Sequence, residues 1–143
     1  MNIKNKNILI SVGIVIFKED KIIFGLSEDK DGNEKYILPV GHLKYMESFE
    51  ACAKREVSEE CGIKIKDIEF QFVSNTDNYS PKHYIHIGLK AKWLSAEPKV
   101  LEKGAIMKWE WIAYENIPKN LSKGAQVTIE ALAKNIQMYD ISK

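Results

Sequence analysis

Residues Gly41 to Ile63 read GHLKYMESFEACAKREVSEECGI, and the second half of this stretch decides what the rest of the chain must build around it. Residues 48–61 contain neither Gly nor Pro and are rich in Ala, Glu and Lys, a composition that predicts a helix. Ser48 or Glu47 begins it and Gly62 stops it. At about 3.6 residues per turn, Glu56, Glu59 and Glu60 project within an arc of roughly 100°. Phe49, Ala53 and Val57 fall on the adjoining arc and are expected to face a core, which sets the carboxylates at its edge. Glu56 and Glu60 are i,i+4 neighbours, and like charges at that spacing repel. A hard divalent cation would relieve the conflict, and an all-oxygen ligand set selects Mg²⁺ or Mn²⁺ over zinc. Mg²⁺ takes one or two carboxylates and completes its shell with water and substrate phosphates. Paired glutamates on a helix are ordinarily solvated surface, so the carboxylates alone do not establish a metal site.

Outward from the helix, the flanks supply strands. Residues 8–17 and 21–27 read as two strands joined at the charged turn Lys18 to Asp20. Asp29 to Lys35 is a polar loop, Tyr36 to Leu38 a short strand ending at Pro39, and Val40 to Met46 a loop leading into the helix. Beyond it, Ile68, Phe70 and Phe72 alternate with polar residues, and Ile85, Ile87, Leu89, Ala91 and Trp93 mark one face of another strand. A further strand covers 106–113. Ile129, Leu132, Ala133 and Ile136 recur at i, i+3, i+4, i+7 and mark an amphipathic helix. The order of strands, helix, strands and helix specifies an α/β fold with a mixed sheet covered by helices.

Length and charge bound the rest. A chain of 143 residues without repeats or linkers is expected to form a single domain over 1–143. Its net charge of +1 lacks the basic excess of a general nucleic-acid binder. Twenty of its 21 basic residues are Lys, and Arg55 is the lone Arg. Cys52 and Cys61 on one helix would stand about 13 Å apart, beyond the reach of about 7 Å for a bridge. They are expected as free thiols in a reducing compartment. Lys4 and Lys6 before the apolar run from Ile8 to Phe17 look like the start of a leader, but Lys18, Glu19, Asp20 and Lys21 follow in place of a cleavage site. The run is also shorter than the roughly 20 residues of a membrane span. A buried strand and a cytoplasmic protein, with no membrane partner, are the expectation.

From Gly41 the sequence fits G-x5-E-x7-R-E-U-x-E-E-x-G-U, where U is a bulky aliphatic residue. Gly41, Glu47, Arg55, Glu56, Val57, Glu59, Glu60, Gly62 and Ile63 satisfy every fixed position. At average residue frequencies a random window matches on the order of once in a few billion. This pattern is the Nudix box, and the chain resembles the Nudix hydrolases from about residue 8 to 137. The resemblance implies an α/β/α sandwich with a mixed central sheet flanked by helices. It also implies hydrolysis of a nucleoside diphosphate linked to another group.

Gly41, Glu56, Glu59 and Glu60 match the family's metal-holding positions, Gly41 through its main-chain carbonyl. Arg55 matches the arginine that orients the catalytic carboxylates, a task for a planar fork of donors that Lys does not offer. Glu56 is the first choice for the general base and Glu59 the second; Glu102 and Glu97 are loop alternatives. Glu47 is expected to support the helix start.

For the substrate, Leu38-Pro39-Val40-Gly41-His42-Leu43 is similar to the LPGGHLE of MutT-like nucleoside triphosphate pyrophosphohydrolases. His83-Tyr84-Ile85, Trp109-Glu110-Trp111-Ile112 and Ile117-Pro118 also look like that branch, which includes 8-oxo-dGTP and dCTP hydrolases. The chain departs from it at Val40, at Lys44 (usually acidic) and at Met46 (usually Gly). His42, Lys44 and Trp111 are the substrate-contact candidates. Trp109 and Trp111 either stack on a base or pack beneath the C-terminal helix, and the loop Leu121 to Gly124 is a second place for a base. The expected reaction is Mg²⁺- or Mn²⁺-dependent release of a nucleoside monophosphate and pyrophosphate. The alternatives are an ADP-ribose or dinucleoside polyphosphate hydrolase, for which Tyr79 is a slender pointer, and a binding-only sensor, against which the full set of carboxylates counts. Dimers are common in the family, so the resemblance leaves a homodimer open.

Overall fold

The computed structural model describes residues 6–102, 104 and 106–141; Lys4 and both ends of the expected 1–143 domain lie outside them. The apolar run after Lys6 is strand β1 (Ile8–Lys18), in which Ser11 through Ile16 are all buried. A strand covered on both faces reads as a continuous apolar run rather than as an alternation. β1 pairs in parallel with β6 (His83–Ser95) and turns at Glu19 and Asp20 into β2 (Lys21–Glu28). β2 in turn pairs with β3 (Glu34–Ile37) and β7 (Ile106–Ala113), and β6 with β5 (Lys64–Thr76). A two-residue strand β8 (Met138–Tyr139) adds to β5 in parallel. The described strands therefore form one mixed sheet.

Two helices cover opposite faces of it. Helix α1 (Phe49–Cys61) buries Cys52, Ala53, Val57 and Cys61 against Val12, Ile14 and Ile16 of β1 and Ile87, Leu89 and Ala91 of β6. Helix α2 (Lys123–Lys134) covers the other face, where Ala125 packs with Val15, Ile22 and Phe24. Residues of one parity on β1 thus serve α1 and those of the other parity serve α2, as a pleated strand requires. This is the α/β arrangement expected from the order of elements. Both cysteines are free and buried.

Several boundaries differ from the sequence reading. Val40 to His42 is not loop but a short strand, β4, paired with Gly13, Val12 and Ser11 of β1. The isolated pattern there is too short to alternate; it is the open edge of β1 that recruits it. β5 begins at Lys64, four residues ahead of Ile68 where the alternation starts, because pairing with β6 holds it across three register shifts. α2 ends at Asn135 in a left-handed cap, so Ile136 lies past the helix. Phe49 is on the buried side of α1 but in its first turn, ahead of the residues that meet the sheet, and is 46% exposed. Trp109 and Trp111 do not pack beneath the C-terminal helix: both belong to the cluster on the α1 face.

Gly88 of β6 lies opposite Phe72 of β5, and a methyl group there would overlap the Phe72 ring. We expect Gly88→Ala to lower unfolding free energy by about 1–3 kcal/mol, the cost of overpacking a filled core. Thermal or urea unfolding measures this, and Phe72→Leu in the same chain should recover much of the loss. Equal stability of Gly88→Ala and wild type would show that the ring does not lie over the glycine.

Candidate active site

α1 is fixed at both ends by its own sequence. The Ser48 hydroxyl accepts from the Ala51 amide at 3.0 Å, and Gly62, at φ +74°, closes the helix with its amide on the Val57 and Ser58 carbonyls. Between these caps stands Arg55. Its Nε and Nη2 donate to the two oxygens of Glu47 at 2.6 and 2.8 Å, a fork on a carboxylate. Nη1 donates to Glu56 at 2.5 Å and to Glu59 at 3.4 Å, and Nη2 also reaches the His42 carbonyl at 3.1 Å. One guanidinium therefore ties three carboxylates of the Gly41–Ile63 stretch to the strand that precedes them. The same contact holds the Glu47 carboxyl down to about 2. Glu47 also caps its own turn by accepting the Lys44 amide at 3.1 Å.

Glu60 is the carboxylate that Arg55 does not reach. It is half-buried, takes one hydrogen bond from the Val40 amide at 3.3 Å, and feels the charges of Glu56, Glu102 and Glu59. Burial first and Glu56 second push its carboxyl up to about 8. Gly41 closes the other side: a Cβ at this position would overlap the Glu56 carboxylate, so the glycine leaves room for that side chain to lie against β4 in its Arg55-bound position. Glu56, Glu59 and Glu60 thus gather at one edge of α1 beside Gly41. Among the described residues, no three His, Cys, Asp or Glu side chains converge on a common ion position, because Glu56 and Glu59 are turned onto Arg55. A crowded, all-oxygen donor set with one desolvated carboxylate suits a hard divalent cation. Met46 stands at φ +63° just before the helix, in the left-handed region where glycine is unstrained.

A cavity of about 350 Å³ opens from β4 into the space between the sheet and the start of α2. Val40, Gly41 and His42 form its border with the carboxylates. Ser122, Lys123 and Gly124, from the loop expected to hold a base, line its helix side. Of the three substrate-contact candidates, His42 lines the cavity and its Nε2 is hydrogen-bonded to the Tyr84 hydroxyl at 3.0 Å. Lys44 is exposed on the turn beside Glu47 and is not among the lining residues. Trp111 is held in the α1-face cluster with the Lys18 ammonium over its ring, so it is on the wrong side of the sheet to stack on a base in this cavity. Tyr79 does line it, edge-on to Tyr84. Glu97 is exposed, whereas Glu102 is close enough to act on Glu60.

The sequence reading used Tyr84 only within the His83-Tyr84-Ile85 resemblance and gave Ser11 and His86 no role in the site. All three sit on the α2 face of β1 and β6, where the alternating partners of buried aliphatics should themselves be apolar if fully packed. A serine, a tyrosine and a histidine at those positions were the available signal that this face opens onto a cavity.

The NUDIX domain family model matches residues 8–132. Similar solved structures include the MutT NUDIX hydrolase of Burkholderia pseudomallei, at 22% identity over 87% of this chain and 97% of that one, with a TM-score of 0.76. A NUDIX hydrolase from Nitrosomonas europaea is 21% identical over 93% of both chains, with a TM-score of 0.75. The NUDIX domain of Shewanella oneidensis NrtR, solved as a complex with ADP ribose, is 17% identical over 92% of this chain and 90% of that one, with a TM-score of 0.70.

Glu60 gives the site a pH signature. A carboxyl at about 8 when folded and near 4.5 when unfolded makes the folded state bind more protons in that window. Stability without metal should therefore fall as pH rises from about 4.5 to 8. Thermal unfolding in EDTA is expected to show wild type losing ground to Glu60→Gln across this range, and saturating Mg²⁺ should restore wild type alone. Parallel curves for the two proteins would remove the buried-carboxylate description.

Proposed function

This chain belongs to the Nudix family of hydrolases, which act on a nucleoside diphosphate linked to another group, and from that premise we propose a nucleoside triphosphate pyrophosphohydrolase. Water cleaves the bond between two phosphates, and a nucleoside monophosphate and pyrophosphate leave. The observation that carries this reading is the adjacency of the cavity and the carboxylates across three residues of β4. Val40, Gly41 and His42 border the cavity, while Val40 and Gly41 touch Glu60 and Glu56. A nucleoside in the cavity would lead its phosphates over this strand to the acidic edge of α1.

Gly41, Glu56, Glu59 and Glu60 are the residues we assign to hold Mg²⁺, with Mn²⁺ as a substitute. Bound there, the cation supplies neutralisation of the phosphate oxygens and a more acidic attacking water. Arg55 holds Glu56 at 2.5 Å and reaches the half-exposed Glu59 at 3.4 Å, and positioning of this kind is most of what phosphoryl transfer asks of a protein. Glu56 accepts the proton of the attacking water, with Glu59 the second choice. The two free, buried thiols agree with a cytoplasmic setting.

A second reading, ADP-ribose hydrolysis, is favoured by the NrtR domain, which binds ADP ribose in its crystal. The cavity argues the other way. Its 350 Å³ is near the small end of ligand pockets, which run from about 300 to 1,000 Å³, and suits one nucleoside rather than two sugar-bearing halves.

A panel of nucleotides with Mg²⁺, followed by chromatography of monophosphate and pyrophosphate, tests the proposal. We expect a triphosphate of the 8-oxo-dGTP or dCTP type to turn over fastest and Glu60→Gln to lose at least about 10²-fold in rate. Faster cleavage of ADP-ribose or a dinucleoside polyphosphate would replace the substrate, and binding without turnover under any metal would replace catalysis by sensing.

A further inference from the structure

The wall of the cavity opposite α2 carries a polar pair that the hydrolytic reaction does not use. His86 of β6 and Ser11 of β1 are register partners in the parallel ladder, and Ser11 Oγ lies 2.7 Å from His86 Nδ1. The far edge of the ring, Cε1 and Nε2, rests over Gly13, where a Cβ would stand 2.7 and 2.8 Å from those two atoms. Gly13, Ser11 and His86 all line the cavity, and Nε2 has no hydrogen-bond partner among the described residues. Gly13 therefore matters as the absence of a side chain that would push the imidazole aside. Beneath the ring lies Phe72, 5.6 Å between centroids, which fixes its tilt.

The remaining walls suit a flat heterocycle. Leu38, Pro39, Ala125 and Val127 supply apolar surface, and Tyr84 and Tyr79 supply aromatic edges. Lys123 is the only Lys, Arg, Asp or Glu among the lining residues, and Ser74, Thr76, Asn78, Ser122 and Thr128 add neutral polar groups, a lining that suits an uncharged ring with polar edges.

We propose that His86, oriented by Ser11, determines which base is accepted by hydrogen-bonding the edge of the base through Nε2. The proposal rests on the reading of this cavity as the nucleoside site. A neutral imidazole has one donor and one acceptor nitrogen, and burial pushes His86 down to about 4, so it is neutral at working pH. The Ser11 hydroxyl turns either way. When it donates to Nδ1, Nε2 carries the proton and faces a carbonyl on the base; when it accepts from Nδ1–H, Nε2 is bare and faces an amino group. Ser11 is a positioning residue, acting through the tautomer of His86.

The test is binding of the four common nucleoside monophosphates and of ribose 5-phosphate, by calorimetry, to wild type, His86→Phe and Ser11→Ala. It is joined by ¹⁵N spectra of the wild-type imidazole. His86→Phe should weaken the best-bound monophosphate about tenfold or more, the value of one buried hydrogen bond with its partner left unpaired. Ribose 5-phosphate should bind both variants as it binds wild type. The Nε2 resonance should move with a monophosphate and stay still with ribose 5-phosphate, and Ser11→Ala should change the tautomer ratio. If wild type binds ribose 5-phosphate as tightly as any nucleotide, the nucleoside cavity and the proposal fall together. If wild type ranks the bases while His86→Phe keeps that ranking, or Nε2 is unmoved by every base, the proposal alone falls; the spectrum decides even if His86→Phe does not fold.

Discussion

The site depends on a single guanidinium holding together groups that would otherwise repel. Glu47, Glu56 and Glu59 lie along or just before one short helix, and Arg55 donates to all three while also reaching the His42 carbonyl. An ammonium could satisfy one of these partners as a point charge, but the planar fork spans two directions at fixed angles. Twenty lysines to one arginine in the chain make the arginine at position 55 a statement about geometry rather than about charge. Removing the side chain would leave β4 and the acidic edge of α1 without their common anchor.

What Arg55 does not neutralise matters equally. Glu60 remains desolvated, next to Glu56 and with one backbone donor. A folded protein tolerates a buried carboxyl by keeping its proton, and that proton has to leave before the group can hold a cation. The chain therefore stores, at one edge of α1, an electrostatic conflict, which in the proposed function a divalent ion and a polyphosphate would resolve together. On the proposed reading, binding and catalysis share that cause: the charges crowded at this edge would attract the ion that makes phosphate approachable.

Much of this was legible from residue order, and the parts that were not share a physical reason. The β1 run, the 106–113 strand and α1 announce themselves because their patterns are long and continuous, and the spacing of Gly41, Arg55, Glu56, Glu59 and Glu60 is a motif of fixed length. β4 escaped because three residues carry no period; its strand character comes from the exposed edge of β1, a partner distant in sequence. From sequence, the two tryptophans are expected either to stack on a base or to pack beneath the C-terminal helix, whereas the antiparallel pairing of β7 with β2 delivers Trp109 and Trp111 to the opposite face. Parity along a strand says that two residues share a face; only the register of neighbouring strands says which face that is. His86 and Ser11 escaped for the same reason, being 75 residues apart and joined through a parallel ladder.

That ladder also explains how the two halves of the site are kept in step. β1 pairs with β4 on one side and β6 on the other, so Ser11 is opposite His42 in one direction and His86 in the other. His42 then belongs to both halves: its carbonyl accepts from Arg55, and its ring is bonded to Tyr84 on the cavity wall. A shift of β4 would loosen the carboxylate anchor and the cavity wall by the same movement. The acidic edge of α1 and the cavity are therefore not two features joined by a loop but two faces of one three-stranded junction. On the proposed reading, the separation between a bound base and the phosphates at α1 is set in the first place by the backbone pairing of β4, β1 and β6, with the His42 contacts to Arg55 and Tyr84 fixing it further.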